Sequence, residues 1–219
     1  MTGTTNPPVR KQTKGERTRA RLLAAAEQQF AELGYHDASV VRITEAAGVG
    51  QGTFYLYFAS KLEVFDEVVE DLNRRVRHAM IEASSSAPNR IEAERAGFAA
   101  FFRFTAEHPA LYRIVRQAEF VSPGALQMHY TRIVEGYQEG LARAQAAGEI
   151  GDIDPEVAAW ALMGIGEIIG MRWVLWGPDV APGGPTSKVP QEVFDQAMTF
   201  IERALAPESR RGTQGEETR

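Results

Sequence analysis

The chain has 219 residues, of which 44% are hydrophobic, a composition typical of a folded protein with a substantial core. It contains no cysteine, which excludes disulfides and thiolate chemistry and fits a reducing compartment. The net charge of −5 argues against a protein that binds nucleic acid over its whole surface.

The charge is divided unevenly along the chain. Residues 1–61 hold eight basic and five acidic side chains, a balance of +3, which leaves −8 for the rest. The N-terminal part therefore attracts a polyanion, and the remainder repels one. No N-terminal run resembles a signal peptide, and the most apolar stretch, residues 157–176, is interrupted by Glu167 and Arg172. We expect a cytoplasmic protein that makes no membrane contact.

The first predicted element follows a polar segment. Residues 1–12 have little to bury, so we expect a disordered arm whose basic residues are either inert or touch phosphates. The first helix is predicted to begin at Thr13, because the sequence T-K-G-E fits a capping box, and to end at Gly34.

Residues 40–61 predict two short helices joined by a glycine turn. Gly48 ends the first of them, since glycine accepts the left-handed conformation after a helix. The second is predicted from about Gln51 to Phe58, with Phe54 and Phe58 facing inward because they are four residues apart. Its outward face is uncharged and rich in hydrogen-bonding groups: Gln51, Gly52, Thr53, Tyr55, Leu56 and Tyr57. This arrangement is typical of a DNA-binding helix-turn-helix.

The next helix is predicted to begin at Lys61, with Ser60 as its cap. A lysine in a first turn is unfavourable because the positive end of the helix dipole lies there. An anion bound at that end would make the lysine favourable there, so Lys61 and the free helix-end N–H groups are predicted to hold a DNA phosphate.

This part of the chain resembles the DNA-binding domain of the tetracycline-repressor (TetR) family of bacterial transcription regulators. The resemblance covers roughly the first 65 residues, through I-T-E-A-A-G-V-G-Q-G-T-F-Y-L-Y-F-A-S-K and the preceding helix. It implies contacts to base edges and nearby backbone from Gln51, Gly52, Thr53 and Tyr55, and to phosphates from Thr44, Tyr57 and Lys61. Val41 and Gly50 depart from the family's pattern and are assigned no DNA contact. Leu56 is either a contact to a thymine methyl or a spectator.

The rest of the chain is predicted to be helical, which gives an all-α protein of about nine helices with no strand pattern. The helix from residue 62 belongs to both halves and is the expected lever between them. Asp154-Pro155 opens a helix that runs to about Trp176, and its internal glycines, each costing about 0.5–1 kcal/mol relative to alanine, indicate close helix contacts. The predicted domains are a disordered arm (1–12), a helix-turn-helix domain (13–61), a helical effector-binding and dimerisation domain (62–206) and a disordered tail (207–219).

The second domain contains candidate effector-binding residues. Its four closely spaced phenylalanines between residues 98 and 104 either crowd the core or line a cavity. Arg116 and Glu119 are either a surface pair or ligand contacts, whereas Glu167 interrupts an apolar run and needs a partner if buried. An amphipathic ligand with an acidic head would suit the predicted set: Phe101, Phe102, Tyr112, Arg116, Glu119, Met128, Met163, Glu167 and Met171.

Motifs for catalysis are lacking. The sequence has no phosphate-binding glycine loop, no nucleophile elbow and no paired histidines, and its four histidines are expected at the surface or in caps. We therefore expect no enzyme, no metal site and no cofactor. The resemblance implies a repressor that binds a palindromic double-stranded DNA operator as a homodimer, through helices 155–176 and 190–206. A small effector would release it, such as an acyl-thioester, a fatty acid or a lipophilic drug. The alternative is a helical small-molecule-binding or interaction module that does not act through DNA.

Overall fold

The computed structural model describes residues 13–176 and 188–207, and all regular structure in these ranges is helical. The prediction of an all-α fold is confirmed. The predicted N-terminal arm, the loop at 177–187 and the tail from residue 208 lie outside the described residues. The helices are α1 (Lys14–Asp37), α2 (Val40–Ala47), α3 (Gln51–Phe54), α4 (Lys61–Ser84), α5 (Arg90–Glu107), α6 (Ala110–Val121), α7 (Pro123–Ala146), α8 (Pro155–Gly170), continued by a π-helical turn (Met171–Leu175), and α9 (Gln191–Leu205).

Helix α1 begins as its capping signals predict but continues past Gly34. The Glu16 N–H donates to the Thr13 hydroxyl at 3.1 Å, and the Thr13 N–H donates to the Glu16 carboxylate at 2.7 Å. Gly34 has φ = 81°, which breaks the helix, yet the chain resumes helical geometry as far as Asp37. The glycine therefore kinks α1 and does not end it, because one residue in the left-handed region redirects the chain without forbidding another turn.

The helix-turn-helix has the predicted glycine turn and a shorter second helix than predicted. Gly48 adopts φ = 65° at the end of α2. Helix α3 stops at Phe54 because the Leu56 and Tyr57 N–H groups bond only three residues back, at 3.2 and 2.9 Å, and so tighten the chain into a turn. Phe54 and Phe58 are nevertheless buried on the inner face, as predicted.

The helix-turn-helix does not have a separate core. Its buried residues form one cluster with those of α4 and α6, in which Phe30 meets Phe65 edge-on at 5.2 Å. A second cluster joins α5, α7, α8 and α9. Helix α4 belongs to the first cluster along its buried length, so a displacement of this helix has to move residues of the DNA-binding part.

Helix α8 lies close to its neighbours because of its glycines. A Cβ on Gly170 would collide with the Tyr112 phenol, and one on Gly166 would lie 3.2 Å from the Phe98 ring. These contacts explain why glycines are tolerated inside a helix. Within the described ranges, Pro155–Leu175 is the one helix whose length and composition would also allow it to cross a membrane, but its glycine face packs inside the protein.

Candidate DNA-binding surface and effector cavity

The outward face of α3 and the following turn is exposed and uncharged. Gln51 and Gly52 lie on it, Tyr55 is 55% exposed and Leu56 is 80% exposed, whereas Thr53 is half-buried. Below them Phe54 and Phe58 are buried, with ring centroids 5.5 Å apart. The two rings anchor a segment too short to be stable alone, and so fix the direction of its outer side chains. The face presents donors and acceptors suited to base edges in a major groove.

Thr44 and Tyr57, both predicted phosphate contacts, do not lie on the exposed face of α3. Thr44 is buried and its hydroxyl donates to the Val41 carbonyl at 2.8 Å. The Tyr57 phenol lies at the N-terminus of α1, where a Cβ on Gly15 would be 3.5 Å from its oxygen. The neighbouring Lys14 is exposed, which places beside the reading face an ammonium group that no pattern in the sequence singles out. The phosphate contacts of Thr44 and Tyr57 stay predictions.

Lys61 has partners inside the protein. Its ammonium group donates to the Tyr35 and Ala38 carbonyls at 2.7 and 2.8 Å, and more weakly to the His36 carbonyl at 3.4 Å. It also lies 4.3 Å from the centroid of the Tyr35 ring. These carbonyls are at the negative end of the α1 dipole, so they account for a lysine in the first turn of α4 without a bound anion. Its contact with a DNA phosphate stays a prediction.

Comparisons with known proteins agree with this geometry. The family model for bacterial regulatory proteins of the tetR family matches residues 22–68. The uncharacterized HTH-type transcriptional regulator YdgC of Bacillus subtilis is 32% identical over 170 residues, which are 75% of this chain and 85% of YdgC. The chain belongs to the TetR family.

Solved TetR-family structures share its fold. The fatty acid degradation regulator FadR of Bacillus halodurans is 22% identical, with a TM-score of 0.72 over 88% of this chain and 96% of FadR. GusR of Salmonella enterica is 24% identical, with a TM-score of 0.73 over 90% of this chain and 99% of GusR. The chain is therefore a helix-turn-helix transcription regulator of a family whose members are not enzymes.

Helices α4 to α8 of this TetR regulator enclose a small apolar cavity of about 40 Å³. Of the nine predicted effector residues, four line it: Phe101, Tyr112, Met163 and Glu167. A cavity of this size holds one or two waters at most, so a larger ligand has to widen it. The side chains that could move aside include methionines, which adapt readily to new shapes.

The other five predicted effector residues do not line the cavity. Arg116 and Glu119 are exposed on α6, whereas Leu111, Tyr112 and Val115 face the cavity. The Arg116 guanidinium donates to the Met171 sulfur at 3.3 Å. Phe102, Met128 and Met171 pack into the hydrophobic clusters instead. The sequence shows which residue types are suited to line a cavity. It does not show which side of each helix faces that cavity.

Glu167 is paired with a phenol. The Tyr130 hydroxyl donates to its Oε1 at 2.8 Å. Burial and the adjacent Glu167 carboxylate both raise the pKa of Tyr130, so the phenol stays protonated and available as a donor. Glu167 is half-buried, and its hydrogen-bond partner is a tyrosine on α7.

The expectation that His129 lies at the surface or in a cap is wrong. Its side chain is buried against the cavity, where the Asn73 amide donates to the His129 carbonyl at 2.9 Å and meets Nδ1 at 3.1 Å. With Nδ1 as acceptor, the network places the ring proton on Nε2. Burial lowers the pKa of His129 to about 4, so the ring is neutral at pH 7. The signal in the sequence for this buried polar pair is Asn73, an asparagine at a core position of α4.

Helix α6 links the cavity to α1. The Gln117 amide donates to the Phe30 carbonyl at 3.2 Å, and its oxygen accepts from the Tyr35 N–H at 2.6 Å. The kink at Gly34 frees these backbone groups, and Gln117 satisfies them. No group of three or more potential metal ligands occurs in the part of the chain that the structure describes.

Proposed function

We propose that this TetR regulator acts in the cytoplasm as a homodimeric repressor that binds a palindromic operator and leaves it when a small amphipathic or hydrophobic effector binds. The observation that carries the proposal is the exposed, uncharged face of α3 and the turn after it. Tyr55 and Leu56 lie next to each other on this face, 55% and 80% exposed.

In this proposal Gln51, Gly52, Thr53 and Tyr55 approach the base edges and nearby backbone. A glutamine amide pairs with both N6 and N7 of adenine, and Leu56 suits a thymine methyl. Tyr57, Lys61 and Thr44 are proposed to lie along the phosphates, where their contacts position the protein without reading sequence.

Dimerisation is supported by an apolar surface on α8 and α9. Val157, Trp160 and Ile168 are exposed along one side of α8, and Phe200 is 63% exposed on α9. We propose that these helices, within residues 155–176 and 190–206, pair with their copies in a second subunit. Two reading helices about 34–36 Å apart would then enter successive major grooves on one side of the duplex.

Release requires that the effector bind the non-DNA conformation better than the DNA-bound one. The cavity adjoins α4 and α6, which both pack on α1 and share a hydrophobic cluster with the helix-turn-helix. A ligand that widens a 40 Å³ cavity has to displace these helices, and the spacing of the two reading helices changes with them. Candidate effectors are acyl-thioesters, fatty acids and lipophilic drugs. The fatty-acid candidates are supported by the shared fold of FadR from Bacillus halodurans, a fatty acid degradation regulator.

Selection from a randomised duplex library tests the DNA proposal. We expect the wild-type protein to enrich a palindrome with half-sites about one helical turn apart. Gln51→Ala should relax preference at one position of each half-site, with a loss of about 1–3 kcal/mol on the preferred base. Gln28→Ala is the matched control, because Gln28 is an exposed glutamine on α1.

An equal loss on every sequence for Gln51→Ala would remove this residue from base reading. Enrichment of no sequence, together with tight small-molecule binding, would support the interaction module that does not act through DNA.

A further inference from the structure

A groove of about 310 Å³ opens to solvent between α4, α5 and α7. Each helix contributes one stripe at helical spacing, for example Arg77, Met80, Ile81 and Ser84 of α4. Small residues are part of its lining, among them the buried Gly97 and the exposed Gly136. The space therefore follows from the sequence of three helices and not from a single loose side chain.

The groove adjoins the apolar cavity. Met80, Ile133 and Tyr137 line both spaces, so these three side chains form the partition between them. Two of the three are apolar, and Met80 has the flexible side chain that can swing aside most easily. When Met80 swings aside, the two spaces join into one path that is polar at the surface and apolar inside.

The outer part is lined by three arginines, Arg77, Arg90 and Arg143, and by two glutamates, Glu94 and Glu139, so its net charge is positive. Arg143 has only a loose pair with Glu139 at 3.8 Å, with both side chains largely exposed, a geometry worth little energy. Arg77 is half-buried and has no ion pair among residues 13–176 and 188–207. Its charge is therefore available to a ligand.

Arg90 is held firmly at the same groove. Its side chain is 14% exposed and pairs with Glu94, which is 1% exposed. The guanidinium occupies the space beside Gly140, where any Cβ would collide with it, and its Nε is buried without a hydrogen-bond partner. A fixed guanidinium loses little conformational entropy when it binds an anion.

The inner cavity offers an anion nothing comparable. It is lined mainly by apolar side chains, and among the residues that the structure describes it has no basic side chain other than the neutral His129. Its one carboxylate, Glu167, already accepts a hydrogen bond from Tyr130 and would repel a second acid. A ligand with an anionic end therefore fits only with that end outside.

We propose that the groove binds the anionic head of an amphiphile, a carboxylate or phosphate, on Arg77 and Arg90, while its hydrocarbon chain passes Met80 into the cavity. This deepens the proposed effector response and rests on it. It also assigns the orientation, with the head at the α4–α5–α7 surface and the chain directed toward Glu167. Because Met80 belongs to α4, entry of the chain acts directly on the helix that begins at Lys61.

Calorimetry on the full chain without DNA tests the assignment with three ten-carbon probes below their micellar concentrations: decanoate, decanoyl-CoA and decanol. Arg77→Gln should weaken an anionic probe about tenfold, the effect of one lost charge-assisted hydrogen bond, and change decanol less than about twofold. Arg103→Gln is the control, an exposed arginine on α5 away from the groove. If Arg77→Gln weakens the binding of decanoate, a carboxylate head is sufficient. If it weakens the binding of decanoyl-CoA alone, Arg77 binds a phosphate of the head.

A second variant tests the path itself. Gly136→Leu should fill the groove, because a Cβ there has no atom within 4 Å, and should weaken all three probes at least about tenfold. Gly124→Leu, on the same helix with an equally open Cβ position, should bind as the wild type. Equal affinity of wild type and Arg77→Gln for both anionic probes would overturn the proposal, as would tighter binding of the lipophilic cation tetraphenylphosphonium than of decanoate. Because these assays contain no DNA, their result does not depend on the outcome of the operator experiment.

Discussion

Replacement of Lys61 by methionine measures how far this lysine stabilises the fold. Methionine keeps an apolar stem near Tyr35 and removes the ammonium group that donates to the Tyr35 and Ala38 carbonyls at 2.7 and 2.8 Å. Hydrogen bonds to a charged group contribute about 1.5–3 kcal/mol, and partial exposure places this case at the lower end. Removal also relieves an unfavourable contact with the α4 dipole, worth about 0.3–1 kcal/mol. The net expectation is a loss of about 0.5–1.5 kcal/mol in the free energy of unfolding.

Urea unfolding followed by circular dichroism at fixed protein concentration gives this difference. Lys14→Met is the matched control, because Lys14 is also the first residue of a helix but is exposed. It should leave stability unchanged or raise it slightly. A Lys61→Met protein as stable as the control would refute the assignment to the α1 carbonyls.

The same variant separates the structural role from the DNA role. Each phosphate contact contributes about 0.9 to the slope of log affinity against log salt. A shallower slope for Lys61→Met would show that the lysine also contacts phosphate, whereas an unchanged slope with reduced stability would assign it to the fold alone.

Three further predictions concern the interior and the interface. The pKa of His129 is about 4 in the folded protein and about 6.5 for an unperturbed histidine, so between these values only the unfolded state binds the proton. The free energy of unfolding should therefore fall by about 3 kcal/mol as the pH drops through this window. His129→Asn should reduce this pH dependence, measured by urea unfolding at pH 7 and 4.5. Gln117→Ala should cost about 1–3 kcal/mol, because it leaves the Tyr35 N–H and the Phe30 carbonyl unpaired, and a smaller loss in urea unfolding would mean that water replaces the amide. Trp160→Glu should yield monomers in analytical ultracentrifugation while helical content is retained, and an unchanged mass would exclude this face from the interface.

Local signals in the sequence predict several helix starts and the turn at Gly48, although not the ends of α1 and α3. Thr13 and Asp154 cap their helices with the expected hydrogen bonds, and Gly48 takes the expected left-handed conformation. Each of these features depends on residues within three or four positions, which the sequence displays directly. Phe54 and Phe58 are correctly predicted inside for the same reason, although the helix that carries them is shorter.

Contacts between distant residues cannot be predicted in the same way. The Asn73 and His129 pair spans 56 positions, and the hydrogen bond from Tyr130 to Glu167 spans 37. A single sequence shows that a buried acid needs a partner but does not identify it. The same limit applies to Lys61, whose unfavourable position suggests a bound anion when the carbonyls of α1, 23 and 26 positions earlier, already supply the negative charge.

The last turn of α1 and its C-cap residue Ala38 are held by α4 and α6, two of the five helices that line the cavity. Lys61 at the start of α4 binds the Tyr35 and Ala38 carbonyls, and Gln117 of α6 accepts from the Tyr35 N–H. The kink at Gly34 makes these contacts possible, because it separates this turn from the rest of α1 and leaves its backbone groups to outside partners. In the proposed mechanism, an effector that moves α4 relative to α6 cannot preserve both sets of hydrogen bonds. The turn at 35–38 leads within two residues into α2, so we infer that it is the point where a change in the cavity becomes a change in the position of the reading face.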